Sequence, residues 1–69
     1  MDCKVMAENL RKLRGNLPRE TVAKAVGISK SALSMYENGH RIPRDIVKVK
    51  IAKFYGVSVA SIFFNRVFT

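Results

Sequence analysis

The sequence predicts an all-α fold, a compact bundle of five short helices without strands, and three observations lead there. Apolar residues recur at helical spacing in successive stretches. Glycine, proline or a cap residue punctuates each stretch. Most informative is the run RETVAKAVGISKSALSMYEN, residues 19–38, whose small, glycine and apolar positions fall where two helices crossing at a tight turn require them.

The elements follow in order. The first helix is expected over residues 4–14, with Met6, Leu10 and Leu13 as its inner stripe, and GNLP breaks it. The second covers residues 18–26, where Val22, Ala23 and Val26 form the stripe. Pro18 suits its first position because the missing amide would have no partner there. Ala23 stands where the next helix crosses closest, so a larger side chain would push the axes apart. Gly27 supplies the positive φ that ends a helix within about one residue.

Ser29 then reads as the N-cap of a third helix, residues 30–38, closed by Gly39. Ile28, Leu33 and Tyr36 continue the buried pattern, so residues 19–38 form a helix-turn-helix. After Pro43 in the loop HRIP, a fourth helix is expected over residues 45–55. Val47, Ile51, Phe54 and Tyr55 lie on one side, Lys48, Lys50 and Lys53 are distributed around the rest, and Gly56 closes it. Ser58 caps a fifth helix over residues 59–64, followed by a short tail. Ile62, Phe63, Phe64, Val67 and Phe68 are more apolar surface than so short a helix can bury. Some are expected to meet another surface.

At 69 residues the chain reads as one domain, residues 1–69, burying roughly 60% of its unfolded surface by size scaling, so its core is small. Thirteen Lys and Arg against five Asp and Glu give a formal charge of +8, which favours a polyanionic partner and puts nucleic acid first. Lys30, His40, Arg41 and Arg44 lie in or just after the third helix, where phosphates would flank a groove-bound helix. No apolar run approaches the roughly 18 residues that span a bilayer. The N-terminus MDCKVMAENL has no secretory pattern, so a cytoplasmic protein without membrane association is expected. Cys3 is the sole cysteine; it excludes an intramolecular disulfide and a zinc site built on several Cys, and reads as an ordinary thiol.

LRKLR in the first helix, ETVAKAVGIS across the turn, YENG at residues 36–39, the proline loop and IAKFYGVS together resemble the Cro and phage-repressor family, the xenobiotic-response-element type. The resemblance covers Leu10 to about Phe64. It implies a lambda-repressor-like DNA-binding domain. It further implies a homodimer joined through the fifth helix and tail, which makes residues 57–69 the dimerisation segment, and an ion pair between Arg14 and Glu37 tying the first helix to the third. Four positions depart from the pattern: Pro18 replaces a Thr or Ser cap, Arg19 a phosphate-contacting Gln, and Asp45 and Lys48 stand where leucine is common. At Lys48, either the helix is slightly rotated or the stem lies along the core with the ammonium in water.

At 100° per residue, Lys30, Ser31, Ser34 and Met35 share the outward face of the third helix and are the candidate base readers. Lys30 can donate to guanine O6 or N7, the serines can donate or accept, and Met35 can pack on a thymine methyl. Arg19, Ser29, Asn38, His40, Arg41 and Arg44 are candidates for phosphate contact, Arg19 beside a helix N-terminus and the others at the third helix's cap or in the loop beyond it. His40 has no second His or Cys for a metal and no partner for a catalytic pair. Tyr36 reads as core. No phosphate-cradling glycine loop or carboxylate pair appears, so neither an enzyme nor a cofactor is expected.

These readings converge on a sequence-specific regulator, Cro-like and most simply a repressor, binding an approximately palindromic double-stranded DNA operator as a homodimer. Two rivals use the same residues. One is an antitoxin whose apolar C-terminus docks a partner protein; the other is a protein- or RNA-binding adaptor that has lost duplex recognition.

Overall fold

The computed structural model describes residues 3–64, and within them the chain is all-helical: α1 (Cys3–Arg14), α2 (Arg19–Val26), α3 (Lys30–Glu37), α4 (Asp45–Tyr55) and α5 (Val59–Phe63). The principal contacts run α1 to α3, α3 to α2, α2 to α4, α4 to α5 and α5 back to α1. The helices therefore pack as a closed ring around one core, and every helix has two neighbours over which to bury its apolar stripe. Met6, Leu10, Val22, Leu33, Ile51 and Ile62, at least one from each helix, meet at the centre.

Local chemistry sets the ends of these helices. Gly27 adopts φ +84°, and both its amide and that of Ile28 donate to the Ala23 carbonyl, which ends α2 sharply enough for α3 to begin three residues later. Ser29 Oγ accepts from the Ala32 amide at 3.0 Å, and Ser58 Oγ accepts from the Ser61 amide at 3.1 Å, so the expected caps of α3 and α5 are in place. Ala23 is buried beneath α3, as its position in the turn motif requires.

Several boundaries differ by one residue. Pro18 is the residue before α2, extended at φ −63° and ψ 141°, because its ring suits either side of a helix start. α3 ends at Glu37. Asn38 takes the cap position and Gly39 follows at φ +72°, its neighbour His40 donating to the Met35 carbonyl at 3.0 Å. α5 stops at Phe63 with Phe64 as its cap.

The buried arc of α4 is Val47, Lys48, Ile51, Ala52 and Tyr55, turned toward Lys48 from the expected stripe. Phe54 is consequently 39% exposed, its ring lying edge-on to that of Tyr55 with centroids 5.1 Å apart. The rotation follows from what Lys48 finds inside. Its stem is buried and its Nζ stands 3.6 Å from Asp45 Oδ1 and 5.7 Å and 5.3 Å from the ring centroids of Phe63 and Phe64. Aromatic faces and a carboxylate thus replace much of the water an ammonium would otherwise hold.

The C-terminal apolar cluster needs a correction. Ile62 and Phe63 are 1% and 3% exposed, because the ring closure of α5 on α1 and α4 places both in the chain's own core. Asn9 Nδ2 reinforces that closure by donating to the Ile62 carbonyl at 3.0 Å. Phe64 alone of the three described residues faces solvent, at 61% exposure. Val67 and Phe68 lie outside the described residues.

Candidate nucleic-acid interface

α3 is held from below by Leu33 and Tyr36, both buried, so its opposite side is presented to solvent. Lys30, Ser31 and Met35 are exposed there, and Ser34 is half-buried with its Oγ accepting from Asn38 Nδ2 at 3.4 Å. The expected quartet is therefore one surface. In the loop beyond, Asn38, His40, Arg41 and Arg44 are all exposed. Ser29 is exposed at the other end of α3, its oxygen already engaged by the Ala32 amide.

Electrostatics sharpen the picture. Between residues 29 and 44 the sole acid is Glu37, and its side chain is 0% exposed. A buried carboxylate is tolerated only when paired and hydrogen-bonded. Here Arg14 Nε donates to Oε2 and Arg19 Nε donates to Oε1, each at 2.8 Å, while Arg11 Nη1 donates to the Glu37 backbone carbonyl. The solvent-facing stretch from Ser29 to Arg44 thus shows only positive charge, from Lys30, Arg41 and Arg44.

The Arg14 to Glu37 tie is present as the resemblance implies, joining α1 to the C-terminal end of α3. Arg19 does more than was expected of it. It bonds Glu37 from the start of α2, so the carboxylate fixes α1, α2 and α3 to one another. Arg11 was missed by sequence reasoning. The signal was there: it sits three residues before Arg14, on the same face of the first helix. Asn9, which joins α1 to α5, carries no such signal, because its role depends on where the chain's end returns.

Tyr55 stands behind this network. Its hydroxyl is buried without a hydrogen-bond partner among the described residues, and burial, reinforced by the Glu37 charge and opposed by Arg14, holds its pKa above the usual tyrosine value. No group of three or more His, Cys, Asp or Glu side chains converges among the described residues. No helix among them is long and apolar enough to cross a membrane.

With that geometry in hand, comparison with known proteins is direct. The chain is 35% identical over 60 residues to the cryptic phage CTXphi transcriptional repressor RstR of Vibrio cholerae, an alignment covering 84% of this chain and 54% of the relative. It is 40% identical over 48 residues to an uncharacterized HTH-type transcriptional regulator of Methanocaldococcus jannaschii, covering 70% of this chain and 73% of that protein. The chain thus spans about half the length of the first relative. No solved structure gives a significant match. Residues 8–62 match the helix-turn-helix family, from the middle of α1 to the core residue Ile62, and with the turn, its caps and the α1 to α3 tie all in place the chain belongs to the Cro/C1-type helix-turn-helix family.

Proposed function

We propose that the protein is a sequence-specific, double-stranded DNA-binding transcriptional regulator that seats α3 in the major groove. One observation carries the reading: a helix face bearing Lys30, Ser31, Ser34 and Met35, backed by the core and continuous with an exposed basic loop, in which the one acid between residues 29 and 44 is buried and neutralised. Lys30 reads guanine, Met35 packs on a thymine methyl, and the serines exchange hydrogen bonds with base edges. Arg19, Ser29, Asn38, His40, Arg41 and Arg44 hold the phosphates on either side. Likeness to a phage repressor favours repression, exerted in the compartment that holds the DNA.

Two copies engage an approximately palindromic operator. The body measures 29 × 24 × 24 Å, so two copies fit side by side on half-sites one helical turn, about 34 Å, apart. With Ile62 and Phe63 committed to the core, the contact between copies falls to Phe64 and the residues after it, Val67 and Phe68 included. The test is fluorescence anisotropy of labelled duplexes at physiological salt, with the mass of the complex measured. Saturable binding of two chains per duplex supports the reading, and absence of duplex binding refutes it.

A further inference from the structure

Three of the large apolar side chains left in solvent belong to one helix, α4: Ile46, Val49 and Phe54, at 65%, 49% and 39% exposure. At about 100° per residue they fall, together with Lys50 and Lys53, on the side of α4 opposite its buried residues Lys48, Ile51 and Ala52. Neither the core nor the α3 face uses them. Where this side of α4 meets α2, an open groove of about 470 Å³ is lined by Ala25 and Val26 from α2 and by Lys50, Lys53 and Phe54 from α4. Its lining holds two cations and no acid. Glu20 lies about 140° around α2 from Ala25, and Asp45 lies about 140° around α4 from Lys50, 3.6 Å from the Lys48 ammonium instead.

We infer that this groove, with the α4 face beside it, docks an acidic amphipathic helix of a partner protein, its apolar stripe on Phe54, Ile46 and Val49 and its carboxylates on Lys50 and Lys53. The inference stands apart from the DNA-binding reading, because α2 packs on both α3 and α4 and the groove is on its α4 side. Shape, apolarity and charge each narrow the occupant. A trough between two helices accepts a third, whose anchors then recur at i, i+3, i+4 and i+7. A polyanion without apolar side chains would leave Phe54, Ile46 and Val49 in water, and a neutral apolar helix would leave the two lysines without partners. A second copy is disfavoured, since the two grooves face to face would set Lys50 and Lys53 against their equivalents. This chain has no acidic helix to offer either. Among the described residues its exposed acids, Glu8, Glu20 and Asp45, stand singly on three helices, in a sequence of net charge +8.

The probe is a fluorescein-labelled peptide of about 16 residues, long enough to form helix, with leucine at i, i+3, i+4 and i+7 and glutamate flanking that stripe. It is titrated by anisotropy with the full chain and with variants first checked for folding by circular dichroism. Saturable binding is expected at about 0.15 M salt, weakened about tenfold both by Phe54→Ala and by Ile46→Ser combined with Val49→Ser. Lys50→Gln combined with Lys53→Gln weakens it as well and flattens its salt dependence. Leu17→Ser removes an exposed apolar side chain from the turn between α1 and α2, and leaves affinity unchanged. Lysine in place of the peptide's glutamates abolishes binding, as does serine in place of its leucines. Nitrogen-15 spectra of the wild-type chain supply a readout needing no variant: the largest amide shifts fall on Ala25, Val26 and residues 46–54. A folded wild type that leaves the peptide free, equal binding of the lysine peptide, or shifts centred on Met35 or Phe64 would overturn the site. Binding of phosphatidylglycerol vesicles that the same variants abolish would overturn it too, by assigning the face to a lipid surface.

Discussion

Glu37 is the residue on which three helices depend. Its carboxylate has left water entirely and is compensated by Arg14 and Arg19 from two different helices. Removing it leaves two guanidinium groups without their partner and a void between α1, α2 and α3. Glu37→Ala is expected to lower unfolding free energy by about 3 kcal/mol, read by urea denaturation; a midpoint equal to wild type would mean that the pair is wet and contributes little. Tyr55 makes the opposite kind of prediction. Its hydroxyl is buried without a partner among the described residues, so Tyr55→Phe is expected to hold stability or raise it by about 1 kcal/mol near neutral pH. The pKa is raised in the folded state, so the unfolded chain loses this proton first. The stability linked to it is intact below pH about 10, the unfolded tyrosine value, and drains away as pH climbs through the folded value. Denaturation midpoints above pH 10 should therefore fall more steeply for wild type than for Tyr55→Phe. Parallel falls would show that Tyr55 ionises as freely folded as unfolded.

At the scale of elements, the two turns flanking α3 are both built on glycine, but for different reasons. Gly27 stands at φ +84° with open space where a Cβ would project, so Gly27→Ala meets backbone strain alone, about 1 kcal/mol. Gly39 stands at φ +72° with a Cβ position only 3.1 Å from the Cys3 carbonyl oxygen and 3.7 Å from Ala7 Cβ. The loop after α3 is thus pressed against the start of α1, and Gly39→Ala must both strain its own backbone and move a helix. Thermal denaturation should show Gly39→Ala the less stable of the two; the reverse order would mean that the start of α1 yields to a methyl group at little cost. Helix positions and both turns were legible in the sequence because capping and glycine chemistry act over a few residues, as at Ser29 and Gly27. The rotation of α4 was legible only as one of two alternatives at Lys48, and local spacing could not choose between them. It depends on Lys48 finding Phe63 and Phe64 from an element one loop away, and spacing within α4 carries no trace of those rings.

The same limit applies to the whole molecule. The outward face of α3 could be drawn from its period, and Arg14 with Glu37 from resemblance, but the fate of Ile62 and Phe63 could not. A stretch this apolar reads as surplus until the ring of helices is seen to close through it, with α5 packed between α1 and α4. Arg19 shows the converse: a residue assigned to phosphate by resemblance and by its place at a helix start is also a structural tie, to a carboxylate eighteen positions away. Closure of the ring is what makes the α3 face rigid. On the proposed reading, side chains held on that face discriminate bases, whereas the basic loop contributes affinity shared by every sequence.

That division between readers and holders is tested most directly by selecting bound duplexes from a random pool, at stated salt, with wild type, Lys30→Ala and Arg44→Ala. Wild type should return a twofold-related motif with half-site centres about 10 base pairs apart. Lys30→Ala should relax one base position in each half, and Arg44→Ala should keep the motif while weakening every duplex alike. A pool that emerges unenriched from the wild type, or two variants showing the same uniform loss, would contradict the account.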